Sequence, residues 1–152
     1  MDATSIRIGI VAAEWNDFIV RKLIDGATEA LTQHGVPAQN VTLVRCPGSF
    51  EIPVLVKAMA VTGTYDAVIA LGVVIRGETA HFEYVSGPVA YGLSDIAIAT
   101  GVPCLFGVLT TESVEQALDR AGGSFGNKGA EAVTAALQTI RVLRDIRSSD
   151  LP

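Results

Sequence analysis

Two hydrophobic rhythms alternate along the chain: short unbroken apolar runs, and longer stretches in which apolar residues return every three or four positions. Ile6 to Ala13, apolar but for Arg7, predicts a strand. Glu14-Trp15-Asn16-Asp17 breaks it before a helix whose apolar face takes Val20, Leu23, Ile24, Ala27 and Leu31. Asn16 is placed to cap that helix, and Gly35 followed by Pro37 stops it, with His34 favoured beside the C-terminal dipole. Val41 to Cys46 predicts the second strand. A helical pattern resumes from Ile52 to Val61, with Pro53 in its first turn and Ser49 as the expected cap. After the turn Gly63 to Asp66, Ala67 to Ile75 runs nine residues without a charge, the mark of a strand buried on both faces. The third helix is predicted from about Phe82 to Thr100, stopped by Gly101 and Pro103, and Cys104 to Leu109 is the fourth strand. Thr110 to Ser113 reads as a cap for a short helix carrying Val114, Ala117, Leu118 and Ala121. Gly122 to Gly126 interrupts it, Asn127 opens a last helix of about twenty residues, and the tail from Arg144 to Pro152 is polar. Four strand–helix alternations with short connections predict one domain over residues 1–152, a three-layer α/β sandwich with a four-stranded parallel sheet and right-handed crossovers.

Composition narrows the function classes. A net charge of −5, with no run of Lys or Arg, argues against a nucleic-acid surface, so any anionic ligand must be held locally. Hydrophobic residues make up 49% and mean hydropathy is +0.42, which points to apolar surface kept for partner subunits. Between Tyr84 and Thr111 the only charge is Asp95, but Gly87, Pro88, Gly92, Gly101 and Pro103 break the stretch well short of the ~20 apolar residues a bilayer needs. Residues 1–6 lack a basic region followed by an apolar one, and the expected location is the cytoplasm. Cys46 and Cys104 have no CxxC spacing and read as buried, inert thiols; no metal site is expected.

In open α/β sheets, ligands bind beyond the carboxyl ends of the strands. There this sequence places Trp15 and Asn16, then Ser49, Phe50 and Glu51, then Arg76 to His81, then Thr110 and Thr111. Trp15 either stacks on a planar ring or plugs the sheet edge. Glu51 either accepts from ligand hydroxyls or sits as a carboxylate favoured near a helix N-terminus. Gly77, Glu78 and Thr79, read as the start of the third helix, offer backbone amides and a hydroxyl to a phosphate. His81 is either a helix-surface histidine or a proton carrier, the role imidazole suits best near neutrality. Arg120 and Lys128 flank the glycine-rich break, either solvated or reaching a ligand from a loop able to approach closely.

Four motifs in order, Pro47-Gly-Ser-Phe-Glu-Ile-Pro53, Leu71-Gly-Val-Val-Ile-Arg-Gly-Glu-Thr79 continuing through His81-Phe-Glu-Tyr-Val85, Phe106-Gly-Val-Leu-Thr-Thr111, and Arg120-Ala-Gly122 with Gly126-Asn-Lys-Gly129, run through nearly the whole chain. In these the chain resembles the 6,7-dimethyl-8-ribityllumazine synthases of riboflavin biosynthesis, whose fold is flavodoxin-like. The resemblance implies condensation of 5-amino-6-(D-ribitylamino)uracil with 3,4-dihydroxy-2-butanone 4-phosphate, a transferase reaction with no cofactor. It further implies that Trp15, with Asn16 beside it, stacks on the pyrimidinedione, that Ser49, Phe50 and Glu51 hold the ribityl chain, and that the backbone at Val73, Val74 and Ile75 reads the ring edge. Gly77, Glu78, Thr79 and Arg120 would bind phosphate and His81 would transfer protons. Phe106 would cover the substrates from a neighbouring subunit, and Lys128 would line the same pocket. Two positions depart from the commonest pattern: Trp15 stands where phenylalanine is usual, and Gly123-Ser124-Phe125 where many members carry a further basic residue.

The resemblance also implies a homopentamer. The short Gly122 to Gly126 connection goes, in that family, with closure of pentamers into a sixty-subunit icosahedral shell, for which riboflavin synthase is one candidate cargo and the sequence names none. The competing readings are a flavodoxin-like binding module, a signalling receiver and a catalytically silent shell protein. The first needs a Gly, Ser and Thr loop where Glu14-Trp15-Asn16-Asp17 stands, and the second an aspartate where Ile75-Arg76-Gly77 stands.

Overall fold

The computed structural model describes residues 2–149. Its sheet is parallel, in the order β2-β1-β3-β4, from β1 (Ile8–Ala13), β2 (Val41–Cys46), β3 (Ala67–Ile75) and β4 (Cys104–Thr111). The helices are α1 (Asp17–Gln33), α2 (Ile52–Ala60), α3 (His81–Thr100), α4 (Val114–Asp119) and α5 (Lys128–Ser148). A small antiparallel hairpin, β5 (Ala121–Gly123) and β6 (Gly126–Asn127), lies between the last two.

Strand side chains alternate between two cores, as the period of two requires. Ile8, Ile10 and Ala12 of β1, with Ile69, Leu71 and Val73 of β3, pack against Leu23 and Ala27 of α1 and Val133, Leu137 and Ile140 of α5. Val11, Ala13, Val68, Ala70 and Val74 face the other way, onto Ile52 and Val56 of α2 and Val89, Leu93 and Ile96 of α3. These are the three predicted layers, and β3 is buried throughout except at Ile75. Among the described residues no helix is long and apolar enough to cross a membrane.

Several local expectations change. Asn16 occupies the N-cap position of α1 in a left-handed conformation, φ 60, and makes no capping bond; its side chain is spent elsewhere. Ser49 does not cap α2: Ser49–Glu51 is a single tight turn, and the Glu51 carboxylate accepts from the Gly48 amide at 3.0 Å. Pro53 stands in the first turn of α2 as expected. The third helix begins at His81, so Gly77, Glu78 and Thr79 form an exposed connection before it rather than its first turn. β4 runs on to Thr111, and Ser113 alone caps α4, accepting from the Gln116 amide at 3.1 Å. Ala121 belongs to the hairpin and not to α4. Asn127 caps α5 by accepting from the Gly129 and Ala130 amides. The polar tail is helical to Ser148, because Arg144 donates to Asp66 at 3.1 Å and Arg147 to the Gly101 carbonyl at 3.2 Å; Asp150 to Pro152 lie outside the described residues.

Candidate active site

The chain leaves β1 for β2 on one side and returns to β3 on the other, so the switch point of the sheet lies between β1 and β3. A cleft of about 650 Å³ opens there, lined by Trp15, Asn16, Ser49, Phe50, Glu51, Val73, Val74, Ile75, His81, Tyr84, Val85 and Pro88. Nine of the sequence-derived candidates thus meet in one place.

Local folding explains how each arrives. The Trp15 amide donates to the Pro47 carbonyl at 3.0 Å, which ties the β1–α1 turn to the β2–α2 turn. Its indole, 65% exposed, lies so close to Gly48 that a Cβ there would come within 2.9 Å of the ring. Glycine is therefore required for this ring position. The Asn16 side-chain amide donates to the Val73 carbonyl at 3.2 Å, across the switch point. Pairing of β3 with β1 ends at Leu71, whereas pairing with β4 continues to Ile75. Alternate residues of a strand direct their N–H and C=O to the same edge, so Ile75, like Val73, presents its backbone on the cleft side, past the end of β1. A donor and an acceptor on one rigid strand suit the edge of a planar heterocycle.

Ser49 is buried, with its hydroxyl oxygen packed against Gly72. One Glu51 carboxylate oxygen closes the turn onto the Gly48 amide at the start of α2, and the side chain also lines the cleft. Below the turn, burial pushes the Cys46 thiol up to about 11, with Glu51 and Glu14 adding to the effect. Burial alone raises Cys104 to about 11. His81 is exposed at the start of α3, its own amide 3.4 Å from the Thr79 hydroxyl. Tyr84, Val85 and Pro88 escaped the sequence reading. Their spacing of three, four and seven from His81 puts them on its helix face, and that spacing was the available signal.

Phe106, Arg120 and Lys128 are not in this cleft. They line a second one, of about 400 Å³, with Val108 to Thr111, Phe125 and Glu131. Successive β4 residues, odd and even, contribute to it, as an edge strand does and a sheet face does not. β4 pairs only with β3 among the described residues, so its outer edge is open. Arg120 lies over the Phe125 ring at 4.6 Å and donates to the Gln116 carbonyl at 2.9 Å; Lys128 is 3.6 Å from Glu131. Gly77, Glu78 and Thr79 line neither cleft and stand exposed beside His81. Among the described residues no three His, Cys, Asp or Glu side chains gather as a metal would need.

A ring-sized apolar cleft at a parallel-sheet switch point, edged by strand backbone and by an imidazole, is the ligand-binding place of an α/β protein and has room for a planar ligand. The comparisons narrow that class. Residues 5–144 match the model of the 6,7-dimethyl-8-ribityllumazine synthase family, to which the chain belongs. Curated proteins named 6,7-dimethyl-8-ribityllumazine synthase from Nitratidesulfovibrio vulgaris, strains DP4 and Hildenborough, are each 49% identical to it over 146 residues, 96% of this chain and 94% of theirs.

Proposed function

We propose that this chain condenses 5-amino-6-(D-ribitylamino)uracil with 3,4-dihydroxy-2-butanone 4-phosphate to 6,7-dimethyl-8-ribityllumazine, in a site assembled from the switch-point cleft of one copy and the β4-edge cleft of the next. Family membership carries the reaction. The observation that carries the site is the division of the candidate residues between two clefts, one on the switch point and one on an open sheet edge.

In this reading the pyrimidinedione lies against Trp15, with its polar edge on the Ile75 backbone. The ribityl chain runs toward Ser49 and Glu51, and Phe106 from the adjacent copy closes the ring's other side. The amine attacks the ketone carbon and water leaves to give an imine. Loss of the proton on the hydroxyl-bearing carbon then expels phosphate and leaves an enol, which tautomerises to a ketone, and the ribityl-bearing nitrogen closes the second ring on that new ketone with loss of another water. His81, one of the residues lining the cleft, carries protons during the imine and elimination steps. Glu78 and Thr79, through the connection's backbone and hydroxyl, hold the phosphate with Arg120 of the adjacent copy and Lys128 nearby. No electron transfer is needed, and holding two substrates face to face supplies much of the acceleration.

The same reading makes the protein a homopentamer, with the sixty-subunit shell as its larger form. Apolar residues exposed along α3, Tyr84, Tyr91 and Ile98, recur every seven positions and suit a subunit contact. Turnover is tested by mixing the purified protein with both substrates and following lumazine absorbance; the uncatalysed rate would defeat the enzyme reading. Size-exclusion with light scattering tests the assembly, and a species of five chains with nothing larger rejects the shell.

A further inference from the structure

Gly77 to Ala80, the connection read above as the phosphate cradle, is exposed throughout, and a Cβ added at Gly77 would meet nothing within 4 Å. Its own side chains barely anchor it: among the described residues, the only hydrogen bond they make is the 3.4 Å contact from the His81 amide to the Thr79 hydroxyl. A segment held so loosely would be a poor cradle, since an anion would have to order it on binding.

One side chain spans its ends. Arg76, the residue just before the connection, donates through Nη1 to Glu83 of α3 and through Nε to Glu112, at 3.1 Å, just past β4. Its guanidinium also lies over the Phe82 ring, 4.4 Å from the centroid. Its backbone amide continues the sheet by donating to the Thr111 carbonyl at 2.8 Å. A single planar group thus ties the end of β3, the end of β4 and the first turn of α3 together, with the four-residue connection looped between its fixed points. The hydrogen bond from Arg76 is the largest cause holding the Glu83 carboxyl below the usual carboxylate range, so Glu83 is ionised beside the connection. Arg76 opposes two carboxylates, Glu83 and Glu112, that would otherwise repel an anion, and Glu78 adds a third negative charge within the segment itself.

We infer that Arg76 is a positioning residue for the phosphate-bearing substrate: its fork and stacked plane set the Gly77–Ala80 connection, and His81 after it, before the anion arrives. The inference rests on the phosphate role proposed for that connection. Its effect falls on one substrate, because the pyrimidine half of the site is built from Trp15, Ser49 and the β3 edge, whereas the Arg76 side chain bonds to Glu83 and Glu112 and stacks on Phe82.

The test compares assembled wild type with Arg76→Met and Arg76→Lys. Titration with inorganic phosphate by calorimetry should show affinity falling about tenfold in both variants. The KM for the butanone phosphate should rise by about the same factor, while the KM for the pyrimidine stays within about twofold. Lysine keeps the charge and loses the fork and plane, so wild-type behaviour in Arg76→Lys would overturn the inference in favour of charge alone. Equal changes in both KM values, or unchanged phosphate affinity, would overturn it too. If Arg76→Met fails to fold, Arg76→Lys carries the test alone: phosphate bound about tenfold more weakly with an unchanged pyrimidine KM supports the inference, and wild-type behaviour overturns it. Wild-type turnover speaks to the proposed reaction, and phosphate affinity speaks to Arg76 whether or not that reaction occurs.

Discussion

The proposed division of the site between two clefts makes a quantitative prediction for mixed assemblies. His81→Ala damages the switch-point cleft only and should slow turnover about 10²-fold or less. Arg120→Met damages the β4-edge cleft only; losing charge-assisted hydrogen bonds worth about 2–3 kcal/mol costs about 10²-fold. When the two variants are co-expressed in equal amounts, each boundary takes one cleft from each of two chains at random. Both clefts are intact at about one boundary in four, whatever the number of subunits in the ring. A doubly tagged, doubly purified mixture should therefore recover about a quarter of wild-type turnover from parents with about a hundredth each. Were the two clefts to serve a site within one chain, the mixture would give only the mean of its parents. Lumazine absorbance distinguishes a difference of about 25-fold easily, and a mixture no faster than that mean refutes the composite site.

Three further outcomes follow from packing and chemistry already described. A Cβ at Gly129 would lie 2.1 Å from the Leu23 carbonyl oxygen, where α1 and α5 touch, so Gly129→Ala should lose more than about 3 kcal/mol in denaturant unfolding; a loss under about 1 kcal/mol would show that the two helices are free to separate. With burial raising both thiols to about 11, Cys46 and Cys104 stay protonated near pH 8; Cys46, which is buried, should resist a disulfide reagent until the chain unfolds, whereas Cys104, only half-buried rather than buried as its sequence suggested, should react first. As pH climbs from the unfolded value of 9.0 toward about 11, the unfolded state releases thiol protons that the folded state keeps, so stability falls over that window. Native labelling of Cys46 within minutes would contradict this burial. Trp15 is the single tryptophan and its ring is exposed in the cleft, so riboflavin should quench its emission saturably if the larger ring accepts flavins; linear, unsaturated dimming rejects the idea.

The parts of the fold that were legible in the sequence are those written in local rhythm. β3 announces itself by nine uncharged residues, and α1 by a face repeated every three or four positions. The β5–β6 hairpin was not legible, because its pairing rests on the backbone of Gly123 and Gly126 and on no side-chain alternation. Asn16 looked like a cap because the sequence shows its neighbours and not Val73, 57 positions away, whose carbonyl takes its amide. The same holds for Arg76: Glu83 is near in sequence, but Glu112 is 36 positions off, and only the β3–β4 register brings it alongside. Residues at strand ends could be gathered in advance because a parallel sheet sends every carboxyl end to one side. Their sorting into two clefts depends on strand order, which the sequence pattern left open.

The proposed site, shared between two copies, would also link ligand binding to assembly. A molecule held between the switch-point cleft of one copy and the β4 edge of another contributes its binding free energy to keeping the two copies together. At a concentration 100-fold above its dissociation constant, that amounts to about 2.7 kcal/mol per boundary. Substrate then acts as mortar. Dilution without ligand should loosen the ring sooner than dilution with it, and metabolic supply would regulate the lifetime of the assembly as well as its rate.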